Sequence, residues 1–127
     1  VLLAEDNRIN ARVAEALLGK LGLEVDIVGT GRDALTALER SHYDLVLLDV
    51  QMPVLDGLET AAEIRRLERL ADDGKRVPIV ALTASALPSD EERCLDAGMD
   101  GHLRKPITLE ILERKLSHLL GVGIAET

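Results

Sequence analysis

Glu5, Asp6, Asp49, Thr83 and Lys105 each end or directly follow a short apolar run, and together they are residue types that can handle phosphate around a metal ion. Carboxylates held close together repel unless something neutralises them. A hard divalent cation does so. Mg²⁺ takes oxygen ligands, keeps several waters, and is held by one or two carboxylates plus phosphate. The same charge would offset that of an incoming phosphoryl group. Asp49 can then act as the nucleophile, because carboxylates form acyl-phosphate intermediates. Thr83 offers a hydroxyl donor, and Lys105 a compact cation for a phosphoryl oxygen.

Each residue alone has a plainer reading. Asp6 and Asn7 are good helix caps. An acid after an apolar strand, such as Asp49, is a common turn residue. Thr83 and Ser85 would serve as loop hydroxyls, Lys105 as a solvated cation, and Pro53 and Gly57 as ordinary loop residues. The choice between the readings depends on whether the fold brings these residues together.

Strand-like apolar runs alternate with amphipathic helical stretches along the whole chain. Strands are expected at 1–4, 25–28, 45–48, 79–82 and 101–104, the third ending in Asp49, the fourth in Thr83 and the fifth at Lys105-Pro106. A helix follows Asn7, with Ile9, Val13, Leu17 and Leu21 spaced by four along one face, and Gly22 ends it. Thr30 can cap a second helix carrying Ala34, Leu35 and Leu38 inward. A third helix is expected at 58–70, broken by Asp72-Asp73-Gly74. Ser89 and Glu92 form a capping-box pattern for a fourth, stopped near Gly98 and too poor in large apolar residues to dock firmly. Thr108 can cap the last helix, with Leu109, Leu112, Leu116 and Leu119 as its buried stripe.

Five strand–helix units predict an α/β fold. The third and fourth strands are apolar without alternation, the mark of parallel strands covered on both faces. Right-handed crossovers leave few topologies, and the flavodoxin-like doubly wound (βα)5 fold, a five-stranded parallel sheet in order 2-1-3-4-5, is the natural one. In that order the strands ending at Glu5-Asp6, Asp49, Thr83 and Lys105 are contiguous, so the polar residues share one rim at the carboxyl ends of the strands.

Composition narrows the function. With 15 Lys and Arg against 23 Asp and Glu the formal net charge is −8, which argues against direct nucleic-acid binding. Phe and Trp are absent and Tyr43 is the only aromatic residue, so the core must be aliphatic and base stacking is an unsuitable role. Cys94 is the only cysteine, which excludes an intrachain disulfide and suits a cytoplasmic home. No apolar run is long enough to cross a bilayer and no basic-then-apolar leader precedes the first strand. The start at Val1 is that expected of a domain within a longer protein.

Other phosphate-handling folds fit less well. A flavodoxin would hold the flavin phosphate in a Ser/Thr/Gly loop after the first strand, where Glu5-Asp6-Asn7 would repel it. Neither GxGxxG nor GxxxxGK[ST] is present. A phosphatase of the haloacid dehalogenase type has a second Asp two residues after its nucleophile, where this chain has Gln51.

The segments LLAEDN (2–7), LVLLDVQMPVLDG (45–57), VPIVALTA (77–84) and GMDGHLRKPI (98–107) resemble the receiver domain of bacterial two-component response regulators over residues 1–120, with 121–127 as a tail or linker. The resemblance implies that Asp49 is the phosphoacceptor, Asp6 a direct metal ligand and Glu5 an acid reaching the metal through water. It implies that Gln51 gives a backbone carbonyl to the metal, and that Gln51 and Ser85 tune hydrolysis of the aspartyl phosphate. Thr83 matches the switch hydroxyl, Lys105 the partner of Asp49, and Lys105-Pro106 a peptide bond often found cis. One departure stands out. The switch aromatic of the family falls at His102, whose burial would depend on protonation.

The runs EDNRINARVAEALLGKLG (5–22) and MPVLDGLETAAEIR (52–65) are most similar to receivers attached to hybrid sensor histidine kinases. The expected function is a signalling switch in a phosphorelay, loaded at Asp49 with Mg²⁺ by a histidine kinase or a histidine phosphotransfer protein, and catalysing its own phosphorylation and dephosphorylation. Membrane contact is expected of the parent protein, if at all, and not of this domain. The alternatives are the receiver of a free-standing or DNA-binding regulator, a receiver-like interaction module that is never phosphorylated, and an Mg²⁺-dependent phosphohydrolase of small phosphates.

Overall fold

The structure, a computed structural model, describes residues 1–50, 56–72, 74, 76–83, 88–105 and 107–120. Its elements follow the expected alternation: β1 (Leu2–Ala4), α1 (Arg8–Lys20), β2 (Asp26–Val28), α2 (Gly31–Arg40), β3 (Val46–Asp49), α3 (Gly57–Ala71), β4 (Ile79–Thr83), α4 (Pro88–Asp96), β5 (Gly101–Arg104) and α5 (Leu109–Leu120). The strands form one sheet in the order β2-β1-β3-β4-β5, with every pairing parallel. The doubly wound order expected from the sequence is the one observed.

The core lies on both faces of the sheet because alternate residues of each strand point to opposite sides. Leu2, Ala4, Val46, Leu48, Ile79 and Ala81 pack against Ala34 of α2, Ala61 and Ile64 of α3, and Cys94 of α4. Leu3, Leu47, Val80, Leu82 and Leu103 pack against Ala11, Ala14 and Leu18 of α1 and Leu112 and Leu116 of α5. All four residues of β3 are buried, as continuous apolar runs require.

The helix ends come from local chemistry. The Asn7 side chain accepts from the amides of Ile9 (2.9 Å) and Asn10 (3.1 Å), which makes Asn7 the cap of α1 and leaves Asp6 out of that role. Thr30 caps α2 through the Asp33 amide (3.0 Å), and Thr108 Oγ1 accepts from the Ile111 amide (3.3 Å) at the start of α5. Asp56, not foreseen, caps α3 through the Glu59 amide (2.8 Å). Gly22 and Gly98 have φ of +80° and +99° and stop α1 and α4, a conformation that side chains beyond glycine rarely adopt.

Two expectations are corrected. Ser89 does not cap α4. The helix begins at Pro88, whose fixed φ suits a first helical position, so Ser89 lies inside the first turn. Of the stripe expected on α1, the C-cap residue Leu21 is buried and Leu17 packs against the core, but Ile9 is 74% and Val13 48% exposed; the buried residues of the helix are Ala11, Ala14 and Leu18. A strict spacing of four drifts about 40° per step around a helix of 3.6 residues per turn, so a stripe starting at Ile9 cannot stay against a flat sheet.

Candidate functional site

The sheet register sets the site. Ala4 pairs with Leu48 and Asp49 with Leu82, so Glu5, one residue past Ala4, stands beside Asp49, and Thr83 is the next residue past Leu82. Thr83 pairs in turn with Arg104, and the Lys105 amide donates to the Thr83 carbonyl at 2.7 Å. Four neighbouring strands thus deliver Glu5, Asp49, Thr83 and Lys105 to one rim.

Glu5 and Asp49 are buried, 4% and 5% exposed, although both are acids. Asp6 is exposed, freed by the capping role of Asn7. Carboxylate oxygens of Glu5, Asp6 and Asp49 all lie within 4.8 Å of one another. The Lys105 ammonium donates to Asp49 Oδ2 at 3.0 Å and to Glu5 Oε1 at 3.1 Å. Among the described residues, one ammonium thus bonds two of the three clustered carboxylates, and the acids outnumber it. That donor set, all hard oxygen and under-neutralised, fits a small divalent cation.

The titration of the site reflects this crowding. Burial, together with the hydrogen bond and charge of Asp49, pushes the Glu5 carboxyl from 4.5 up to about 7, against the opposing pull of Lys105. Burial draws the Lys105 ammonium down, but the hydrogen bonds and charges of Asp49 and Glu5 outweigh it and its net direction is up.

Gly57 and Asp56 also shape the rim. A Cβ on Gly57 would stand 2.5 Å from the Asp49 carbonyl oxygen and 2.9 Å from Val50 Cα, so only glycine fits there. The Gly57 amide donates to the Val50 carbonyl at 3.1 Å, and Asp56 caps the helix that Gly57 opens. Together they hold the chain beyond Asp49 against the start of α3. An Asp-Gly pair just before an amphipathic run was the available signal.

His102 is half-buried on β5, with Nδ1 3.9 Å from Glu91 Oε1 of α4, so it lies between the sheet and α4 and away from the carboxylates. Gln51, Ser85 and Pro106, expected respectively as carbonyl ligand, hydrolysis tuner and cis-peptide proline, lie outside the described residues, as do 121–127. Among the described residues, no helix is long and apolar enough to cross a membrane.

Comparison with known proteins agrees with this geometry. The family model described as response regulator receiver domain matches residues 1–117. The hybrid signal transduction histidine kinase K of Dictyostelium discoideum is 44% identical over 98% of this chain, and the sensor histidine kinase RcsC of Escherichia coli K12 is 38% identical over 92% of it. The chain spans only 11% and 12% of those relatives. Among solved structures, the receiver domain of sensor histidine kinase PA1611 from Pseudomonas aeruginosa, crystallised with a magnesium ion coordinated in the active site cleft, superposes with a TM-score of 0.82 at 46% identity, covering 94% of this chain and 95% of that one. The receiver domain of Ssk1 from Saccharomyces cerevisiae, in complex with the histidine phosphotransfer protein Ypd1, superposes with a TM-score of 0.87 at 31% identity, covering 93% and 86%.

Proposed function

Since the chain belongs to the response regulator receiver domain family, we propose that it takes a phosphoryl group onto Asp49 and works as the phosphoacceptor of a phosphorelay. The observation that carries this reading is the buried Asp49 carboxylate, 3.0 Å from the Lys105 ammonium and grouped with Glu5 and Asp6. A structural salt bridge would need neither the extra acids nor their place on the rim of the sheet.

In the reaction, an Asp49 carboxylate oxygen attacks the phosphorus of a phosphohistidine. A P–O bond forms as the P–N bond breaks, and the imidazole leaves with a proton from solvent. Glu5, Asp6 and Asp49 would hold Mg²⁺, with Gln51 proposed to add its carbonyl. The ion supplies positive charge to offset the phosphoryl oxygens. Lys105 then moves its ammonium from the free carboxylate to a phosphoryl oxygen, and the Thr83 hydroxyl donates to another. Catalysis is positioning and electrostatics, with no further covalent chemistry asked of the protein. Gln51 and Ser85 would set how long the aspartyl phosphate lasts, and Thr83 with His102 would relay its presence toward α4.

The donor is a histidine kinase or a histidine phosphotransfer protein, and the domain is one part of a hybrid histidine kinase that works in the cytoplasm. The kinase relatives, of which this chain spans about a tenth, support that context. Intact mass spectrometry after incubation with acetyl phosphate and Mg²⁺ tests the central claim. One added phosphoryl group is expected, absent in Asp49→Asn and after chelation of the metal. No gain, or an undiminished gain in the variant, would refute it.

A further inference from the structure

A second polar cluster lies at the amino ends of β4 and β5, on the rim of the sheet opposite the carboxylates. Arg65 of α3 is buried, 6% exposed. Its Nε donates to the Gly98 carbonyl at 2.8 Å. One terminal nitrogen donates to Glu68 (2.7 Å) and to the Val77 carbonyl (2.9 Å), and the other to Asp100 Oδ2 (2.8 Å). Asp100 also accepts from the Ile79 amide and from Arg76, each at 2.8 Å, and Glu68 from the Val77 amide at 2.8 Å. Two arginines and two acids balance, and every described buried side-chain polar atom in the protein has a partner.

This cluster collects four elements at one point: α3, the entries to β4 and β5, and the turn that closes α4. The fit is steric as well as polar. A Cβ on Gly98 would come within 2.6 Å of Arg65 Cγ, so the turn lies directly on the arginine stem. The amides of Ala97, Gly98, Met99 and Asp100 are bonded to Arg93, Leu95, Cys94 and Ile79 carbonyls at 2.8–3.1 Å. Among the described residues, the body of α4 buries little. Ser89, Glu91, Glu92, Arg93 and Leu95 are exposed, and Cys94 is the one buried side chain among those described in the helix.

We infer that Arg65 is a positioning residue that fixes the C-terminal end of α4 at Gly98 and Asp100, so that α4 responds to events at the rim as a lever moving at its N-terminal end, the end that follows Thr83 in the chain. A planar five-donor fork can hold two carbonyls and two carboxylates in one geometry, which a lysine cannot. The lever explains how a helix with so little apolar docking can answer a change at Thr83 without detaching from the sheet. The inference rests on the phosphoacceptor reading for its trigger, but the anchor itself is a property of the unmodified protein.

Amide hydrogen exchange by NMR on the 127-residue chain tests it. In the unmodified protein, Ala97, Gly98, Met99 and Asp100 should exchange at least tenfold more slowly than Glu92, Arg93 and Cys94. In Arg65→Lys, that gradient should vanish as the first group speeds up tenfold or more, while buried β1 and β3 amides keep their protection. Asp100→Asn, which keeps the shape and loses the charge, should show a smaller loss of two- to threefold and serves if the lysine variant does not fold. With Mg²⁺ and acetyl phosphate, exchange in wild type should change at Glu92–Cys94 alone, and in Arg65→Lys along the whole helix. A merely structural role would speed exchange but would not make the C-terminal turn sensitive to phosphorylation. Uniform protection along α4 in wild type, or an unchanged Ala97–Asp100 turn in Arg65→Lys, overturns the anchor. Absence of any mass gain overturns the phosphoacceptor reading instead, and the gradient in the unmodified protein still decides the anchor.

Discussion

Glu5 is an acid kept buried beside another acid, and its titration carries a testable consequence. Its folded value, raised to about 7, lies above the 4.5 of an unperturbed carboxyl. Between those values the native protein binds more protons than the unfolded chain, so the contribution of Glu5 to stability is full below about pH 4.5 and is lost as pH rises through 7. In metal-free protein, urea unfolding should show stability falling by up to a few kcal/mol across that window. Glu5→Gln should flatten the slope, and an equal slope in the variant would assign it to other groups. A proton on Glu5 removes negative charge that would help hold Mg²⁺, so Mg²⁺ affinity, followed by NMR because the chain has no Trp, should be weaker at pH 6 than at pH 8, and Glu5→Gln should lose that difference. Gly57 makes a different demand at the same scale. Gly57→Ala places a methyl group 2.5 Å from the Asp49 carbonyl oxygen, and backbone has to move. A loss of about 2 kcal/mol or more is expected by denaturant titration, with phosphorylation slowed beyond what that loss explains. The acids and Lys105 were legible in the sequence because each ends an apolar strand. Gly57 was legible only as half of an Asp-Gly turn signal; its tight contact with the backbone of β3 was not, because no local pattern records it.

At the scale of elements, α1 departs most from its sequence pattern. Its small Ala11 and Ala14 face the sheet, and its larger Ile9 and Val13 face solvent. A spacing-of-four reading favours the large side chains, whereas the packing uses the small ones, which let the helix approach closely. The exposed pair is not random in position. Val13 lines a groove with Asn10, Glu5, Lys105 and Ile107, directly beside the carboxylates. If a phosphohistidine carrier covers this rim to reach Asp49, Val13 lies in the area it would touch, and Ile9, one turn earlier on the same helix, is proposed to extend that area. Ile9→Ala with Val13→Ala should change stability by no more than about 0.5 kcal/mol, as exposed positions do. The same double variant should slow phosphotransfer from a histidine phosphotransfer protein about tenfold while leaving phosphorylation by acetyl phosphate unchanged. Equal slowing with both donors would place the effect in the site and not in the docking. The cluster around Arg65 was equally hidden from the sequence, since Gly98 and Asp100 stand 33 and 35 residues away from it.

For the molecule as a whole, the alternation of strands and helices was legible because β3 and β4 are apolar at every position before their last, Asp49 and Thr83, and only a sheet covered on both sides can use such runs. That reading fixed the strand order, and the order placed the site. The physical cost of the design is that one sheet must serve two cores, each closed by its own helices. Ile64 belongs to the face closed by α2, α3 and α4, and Leu116 to the face closed by α1 and α5. The two side chains belong to separate clusters of the described residues, yet the strands between them are common to both cores. Ile64→Val should cost about 1 kcal/mol and Leu116→Ala about 3 kcal/mol, because both sites are nearly or fully buried. If the faces pack independently, the double variant should lose the sum within about 0.5 kcal/mol. If the shared strands make the molecule one cooperative unit, urea curves should remain single transitions with an unchanged slope, and circular dichroism and NMR should report the same midpoint. Both results are expected together. A second transition, or a midpoint that depends on the probe, would mean that one core can open while the other holds. The carboxylates of β1 and β3 would then be positioned by half the molecule and not by the whole of it.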